Sequence, residues 1–265
     1  MALRKSPLPR WIGSKRLALK QILPLIPPHE LYCELFCGAA WVGFNVHGVA
    51  SPARRILNDA DPEVINAYEV LRDRPLELTR LLHYSVSSRI ILHEVAAGHD
   101  RTPLGRAYRF FYINKAGFSA RMRTPSYAIR RTVPKSVYSF NSFARRLLAC
   151  AAFLPDYEFA NLDFRAAIKE YDSPGTFFYA DPPYPGCERY YEPSLYEETA
   201  LKDLARLLRE IKGRALISLP DSAGIRDLFA GFSFRGREVL YNINNRKPAR
   251  AAELLIANYK FPETA

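Results

Sequence analysis

The stretch Phe177 to Gly186, FFYADPPYPG, most constrains what this chain can become. Phe177, Phe178, Tyr179 and Ala180 form an apolar, aromatic run that predicts a short buried strand. Asp181 ends the run. Pro182 and Pro183 then lack amide donors and fix the backbone, so the strand cannot continue. Tyr184 follows, and Pro185-Gly186 turns the chain. A carboxylate and an aromatic ring are thereby held on a stiff loop at the carboxyl end of a strand, where open α/β sheets bind their ligands. An Asp-Pro pair alone reads as an ordinary turn with an exposed acid. The whole string behind an apolar strand reads as a site.

The same strand-and-turn logic recurs along the chain. Leu31 to Phe36 predicts a strand that runs into Cys37-Gly38-Ala39-Ala40 and then into Val42, Gly43, Phe44 and Val46 at helical spacing. A strand, a small-residue turn and a helix in that order let a ligand approach the backbone near a helix N-terminus, although the dinucleotide pattern G-x-G-x-x-G is absent. Glu34 lies inside the strand, where a charge needs a partner or a site edge. Arg54 to Asn58 predicts a second strand, followed by Asp59-Ala60-Asp61-Pro62. One of these acids suits a ribose-hydroxyl acceptor and the other a cap for the helix that opens at Pro62. Upstream, Trp11, Gly13 and Lys15 cluster before a helical pattern that Ser14 is placed to cap.

The rhythm resumes late in the chain. A strand is expected at Tyr157 to Ala160, then Asp163 and Phe164 as cap and core or as pocket lining, and a helix near Ala166 to Glu170. An amphipathic helix follows over Glu197 to Lys212, a strand over Ala215 to Leu219, and a short helix over Ile225 to Phe229. Strands at Arg237 to Ile243 and Leu254 to Tyr259 can pair as a hairpin. The expected fold is α/β, a mostly parallel Rossmann-like sheet with an antiparallel edge hairpin, carrying an inserted basic lobe. Residues 1–71 and 156–265 make the sheet domain and 72–155 the lobe.

Charge locates the lobe. Between Arg72 and Arg146 there are 15 basic and 4 acidic residues, a difference equal to the chain's whole net charge of +11. No acid occurs from Arg101 to Pro155, and aromatics are interleaved throughout. A short basic run is usually a solvated face, but an acid-free stretch of this length predicts a surface for a polyanion. Gly117 and Ser119 suggest a turn between extended or helical arms; Arg121 and Arg123 share one side if the stretch is extended, and Arg130 and Arg131 follow. Such side chains suit phosphate contact, base-edge reading and wedging into stacked bases. The four cysteines, Cys33, Cys37, Cys150 and Cys187, match no zinc spacing and predict reduced, buried thiols. No apolar run reaches membrane-spanning length and the N-terminus lacks a signal peptide's apolar core, so a cytoplasmic protein is expected.

Taken together, these motifs resemble the Dam-like, alpha-group N6-adenine-specific DNA methyltransferases, which use S-adenosylmethionine. Ala180 to Tyr184, ADPPY, is similar to the family's catalytic motif, and Leu35 to Ala40, LFCGAA, to the methionine side of its cofactor pocket. RWIGSK at Arg10 to Lys15 resembles its N-terminal W-x-G-x-K element, and NDAD at Asn58 to Asp61 its ribose-binding acid. INKAGFSARMR at Ile113 to Arg123 resembles its N-K-x-x-F-x-x-x-x-R recognition segment, and ELLIANY at Glu253 to Tyr259 its final strand. The motif order matches as well. Ala40 stands where the family usually carries a second glycine.

The resemblance implies catalytic roles for Asp181, Pro182 and Tyr184. It implies a cofactor site of Trp11, Lys15, Phe36, Gly38, Asp59, Asp163, Phe164 and Asp181, and DNA contacts by Asn114, Lys115, Arg121, Arg123, Arg130 and Arg131. It further implies base flipping in double-stranded DNA, no metal, a monomer, a bacterial or phage origin with association with the nucleoid through DNA, and a separate restriction endonuclease as a candidate partner. Competing expectations are methylation of another planar nitrogen, such as cytosine N4, an RNA base or a protein glutamine, or a catalytically silent nucleic-acid-binding relative.

Overall fold

A computed structural model describes residues 3–48, 52–117, 127, 139–184, 199–241 and 249–262. Seven strands form one sheet: β1 (Leu31–Glu34), β2 (Arg54–Asn58), β3 (Glu158–Ala160), β4 (Thr176–Ala180), β5 (Arg214–Pro220), β6 (Ser233–Tyr241) and β7 (Ala249–Ala257). Their order is β3-β2-β1-β4-β5-β7-β6. The first five are mutually parallel, and β7 and β6 complete the sheet antiparallel. The edge hairpin expected from the sequence is therefore present, with its second strand inside and β6 at the rim. The chain builds outward from β1 to β3 on one side and from β4 to β5 on the other. The order reverses between β1 and β4, which makes their carboxyl ends the place for a ligand.

Strand β4 shows why this sheet forms. All five of its residues are buried, as a central parallel strand covered on both faces requires. Phe177 and Tyr179 enter one apolar layer and Phe178 and Ala180 the other. The second layer is covered by α7 (Phe164–Tyr171), α8 (Ala200–Glu210) and α9 (Ala223–Leu228), through residues such as Ile168, Leu204, Leu208 and Ile225. The first is covered by α1 (Leu19–Ile22) and by a run of helices after β2: α2 (Pro62–Asp73), α3 (Pro75–His83), α4 (Arg89–Ala97), α5 (Pro103–Ala116) and α6 (Phe140–Ala151).

Local signals set the helix starts. The Asp61 side chain accepts from the Glu63 amide with Pro62 at the first helical position, Thr102 caps α5 ahead of Pro103, and Asp163 caps α7. The described part of 72–155 is mostly helical, with Gly117 and Tyr127 joined in an isolated antiparallel bridge. Phe110, Phe111 and Tyr112 of α5 and Phe143 and Leu147 of α6 share the core that contains Phe44, Tyr68 and Phe177. Arg106 on α5 pairs with Glu63 on α2 at 2.8 Å.

Two expectations need correction. No regular helix follows the Gly38 turn. The chain passes through successive turns to a single 3-10 turn at Val46–Gly48. Left-handed backbone at Gly38 (φ 41°) and Ala40 (φ 48°) breaks a helical start, and Glu34 captures the Gly43 amide instead. Val42, Phe44 and Val46 are still buried, so their spacing reported burial rather than helix. At the N-terminus, Ser14 makes no side-chain cap, and the helical pattern resolves into short 3-10 and α segments. No helix among the described residues is long and apolar enough to cross a membrane.

Candidate active site

The carboxyl ends of β1, β2 and β4 meet at one edge of the sheet. Asn58, the last residue of β2, joins three strand ends. Its amide nitrogen donates to the Leu35 and Leu162 carbonyls (2.9 and 3.0 Å), and its oxygen accepts from the Leu162 amide (3.0 Å). The Leu35 amide donates to the Tyr179 carbonyl at 2.9 Å, which sets Phe36 beside the start of the Asp181 loop.

The turn after β1 is bonded on every side. Asp59 accepts from the Gly38 amide (2.8 Å) through one oxygen and from the Asp61 amide (3.0 Å) through the other. Asp61 caps α2, the role that one of the two acids was expected to take. The Tyr68 hydroxyl donates to the Gly38 carbonyl at 2.7 Å. Trp11 lies against Gly38 so closely that a Cβ there would sit 2.5 Å from its Nε1. Ala40 keeps a glycine-like conformation, but it is 1% exposed and its methyl belongs to the core. Burial pushes the Asp59 carboxyl up to about 6. Burial likewise raises Glu34 to about 8, against the bonds it accepts from the Tyr32 hydroxyl and the Gly43 amide.

The second cluster surrounds Asp181. Lys15, only 6% exposed in its side chain, places Nζ 2.7 Å from Asp181 Oδ1 and donates to the Gly13 carbonyl at 3.0 Å. The same ammonium lies 5.0 Å from the Tyr184 ring centroid. Lys15, expected on the cofactor from its motif, bonds to Asp181 and lies against the Tyr184 ring. Burial raises Asp181 to about 6, and Lys15 opposes that rise. The Tyr184 hydroxyl donates to Glu253 Oε1 at 2.9 Å.

The other expected residues fall as follows. Phe36 and Phe164 are in ring contact at 5.5 Å. Asp163 caps α7 and pairs with Arg165 at the surface. Pro182 is buried behind Asp181. Asn114 and Lys115, expected to touch DNA, are instead interior residues of α5. Asn114 is fully buried and donates to the Arg10 carbonyl at 2.5 Å, tying the N-terminal loop to α5. Lys115 is 9% exposed, lies 5.5 Å from the Phe143 ring, and is pushed down to about 8 by burial and by Arg10 and Arg146. Asn114 follows Phe110 and Phe111 by one helical turn, and both are buried, so it packs inward with them. Arg121, Arg123, Arg130 and Arg131 lie outside the described residues. Sequence reasoning missed Asn58 and Glu253 as site residues. Glu253 carried a signal, a charge directly before the apolar run Leu254 to Ala257.

A carboxylate beside a buried lysine and an aromatic ring can accept a hydrogen bond from an amino group and hold a planar partner against the ring. Comparison with known proteins agrees with that chemistry. Residues 11–243 match the model of the D12 class N6 adenine-specific DNA methyltransferases. The chain is also similar to the Type II methyltransferase M1.LlaDCHI of Lactococcus lactis subsp. cremoris, at 25% identity over 277 residues, covering 96% of this chain and 95% of that protein. With the match running from Trp11 through the Asp181 loop and into the edge hairpin, the chain belongs to the D12 class N6 adenine-specific DNA methyltransferase family.

Proposed function

We propose that the protein transfers a methyl group from S-adenosylmethionine to N6 of adenine in duplex DNA, acting on a base rotated out of the helix. The observation that carries this is the Asp181 carboxylate, held at the β4 end with Oδ1 on Lys15 and with Tyr184 alongside. Adenine N6 is a weak nucleophile because its lone pair is delocalised into the ring. Lys15 engages one carboxylate oxygen, which leaves Oδ2 to accept one N6 hydrogen while the Pro182 carbonyl accepts the other. These bonds favour a tetrahedral nitrogen and offset the positive charge that grows on it. Tyr184 offers a stacking face to the flipped base.

The residues at the Gly38 turn fit the cofactor. Asp59 would accept from ribose hydroxyls, the packed pair Phe36 and Phe164 would lie along one side of the adenine with Asp163 at the rim, and the Gly38 turn backed by Trp11 would lie against the methionine part. When bound, S-adenosylmethionine supplies an electrophilic methyl on a sulfonium that leaves readily. Residues 72–155 are the recognition lobe in this proposal, with Arg121, Arg123, Arg130 and Arg131 on phosphates and base edges. The protein acts as a cytoplasmic monomer, and its similarity to a Type II methyltransferase supports a restriction partner encoded separately.

Two measurements follow from the proposal, and methyl incorporation into DNA adenine tests it directly. At saturating cofactor and DNA, kcat should fall as the pH drops through about 6, because Asp181 is raised from its ordinary value and loses its charge there rather than near pH 4. A kcat that stays flat down to pH 5 would contradict Asp181 as the acceptor. DNA affinity should fall by about a hundredfold between 50 and 200 mM salt if roughly four arginines neutralise phosphates. An affinity insensitive to salt would remove the basic lobe from the DNA surface.

A further inference from the structure

The edge hairpin carries a buried charge pair that the chemistry above does not use. Glu253 is 2% exposed and heads a run, Leu254 to Ala257, that is buried throughout. Arg237 faces it across the β6–β7 register, with its side chain 6% exposed and Nε 3.5 Å from Glu253 Oε2. Arg237 Nε and Nη1 have no hydrogen-bond partner among the described residues. A buried pair with unsatisfied donors is a poor source of stability, since desolvation of both charges offsets their attraction. What the pair does hold is the Tyr184 hydroxyl, 2.9 Å from Glu253 Oε1 and three residues beyond Asp181.

A ring that only stacks on a base needs no hydroxyl. The phenol of Tyr184 is tied to a buried carboxylate on a rigid strand, and that tie fixes where the ring stands relative to Asp181 and the Lys15 ammonium. Resting on the methyltransferase function proposed above, we infer that Glu253, itself held by Arg237, is the positioning residue for Tyr184, setting the plane on which the flipped adenine stacks. Glu253 acts through Tyr184 and touches no reacting atom. Placement of the base in line with the methyl group depends on that plane, so a loosened ring lowers the turnover rate more than it lowers affinity.

A double-mutant cycle on plasmid DNA with labelled S-adenosylmethionine tests the inference. Tyr184→Phe and Glu253→Ala should each lower kcat/KM by about tenfold, mostly in kcat, and the double variant should lose no more than either alone. Cofactor affinity, measured by calorimetry, should stay within about twofold of the parent in all three, which a general loss of structure would not allow. Glu253→Gln, which keeps an acceptor at the same place, should recover most of the loss. Losses that multiply to about a hundredfold in the double variant would overturn the inference, as would a Glu253→Ala protein with parental activity. Where Glu253→Ala does not fold, Tyr184→Phe alone decides, and parental activity in that variant overturns the inference. A parent protein that methylates no adenine would overturn the proposed function and the positioning role with it, whereas an active parent with multiplying losses overturns only the positioning role.

Discussion

Asp181→Ala should lose methyl transfer by about a thousandfold or more, equivalent to roughly 4 kcal/mol of transition-state stabilisation. In the proposed mechanism the carboxylate is the acceptor that concentrates the N6 lone pair, and no other acid bonds to Lys15 in its place among the described residues. The variant should still fold, because β4 is held by Phe177, Phe178 and Tyr179, all fully buried. Its stability should drop by about 1–3 kcal/mol, since Lys15 stays buried without its charge partner and keeps the Gly13 carbonyl and the Tyr184 ring. Single-turnover methyl transfer, alongside a denaturant melt, checks both halves. Parental turnover in a folded variant would contradict the role of Asp181.

Gly38→Ala should produce the second large effect, on the cofactor turn. At φ 41° an alanine carries a left-handed cost of about 1–2 kcal/mol. Its Cβ would also lie 2.5 Å from Trp11 Nε1 and 3.0 Å from Trp11 Cε2, so the indole must move. Displacing a ring from a packed position adds about 1–3 kcal/mol. A loss of about 2–5 kcal/mol in unfolding free energy is therefore expected, together with cofactor affinity lowered by about tenfold or more. Denaturant titration and calorimetry with S-adenosylmethionine read the two effects. A variant with parental stability would show that Trp11 and the turn are not packed as described.

Much of the fold was legible because its signals are local. The apolar run into Asp181-Pro-Pro marked β4 and its end, Pro62 after Asp61 marked the start of α2, and two successive strands at the end of the chain marked the edge hairpin. The irregular chain after Gly38 was not legible. Its path is decided by bonds from distant residues, Glu34 to the Gly43 amide and Tyr68 to the Gly38 carbonyl, which spacing cannot report. The candidate site was legible in the residues that the fold brings together more than in their contacts. Asp181, Tyr184, Gly38 and Asp59 could be named from the sequence, but the Lys15–Asp181 pair and the Tyr184–Glu253 bond join segments that only the folded sheet brings together. Asn114 misled because its motif suggested a surface while its neighbours, Phe110 to Ile113, placed it in the core.

The central claim is the identity of the methylated atom. Unmethylated plasmid DNA incubated with the protein and labelled S-adenosylmethionine, then digested to nucleosides, should carry its label in N6-methyldeoxyadenosine, with none when the Asp181→Ala protein is used. Label in N4-methyldeoxycytidine, or DNA that binds the protein and stays unmethylated, would contradict it.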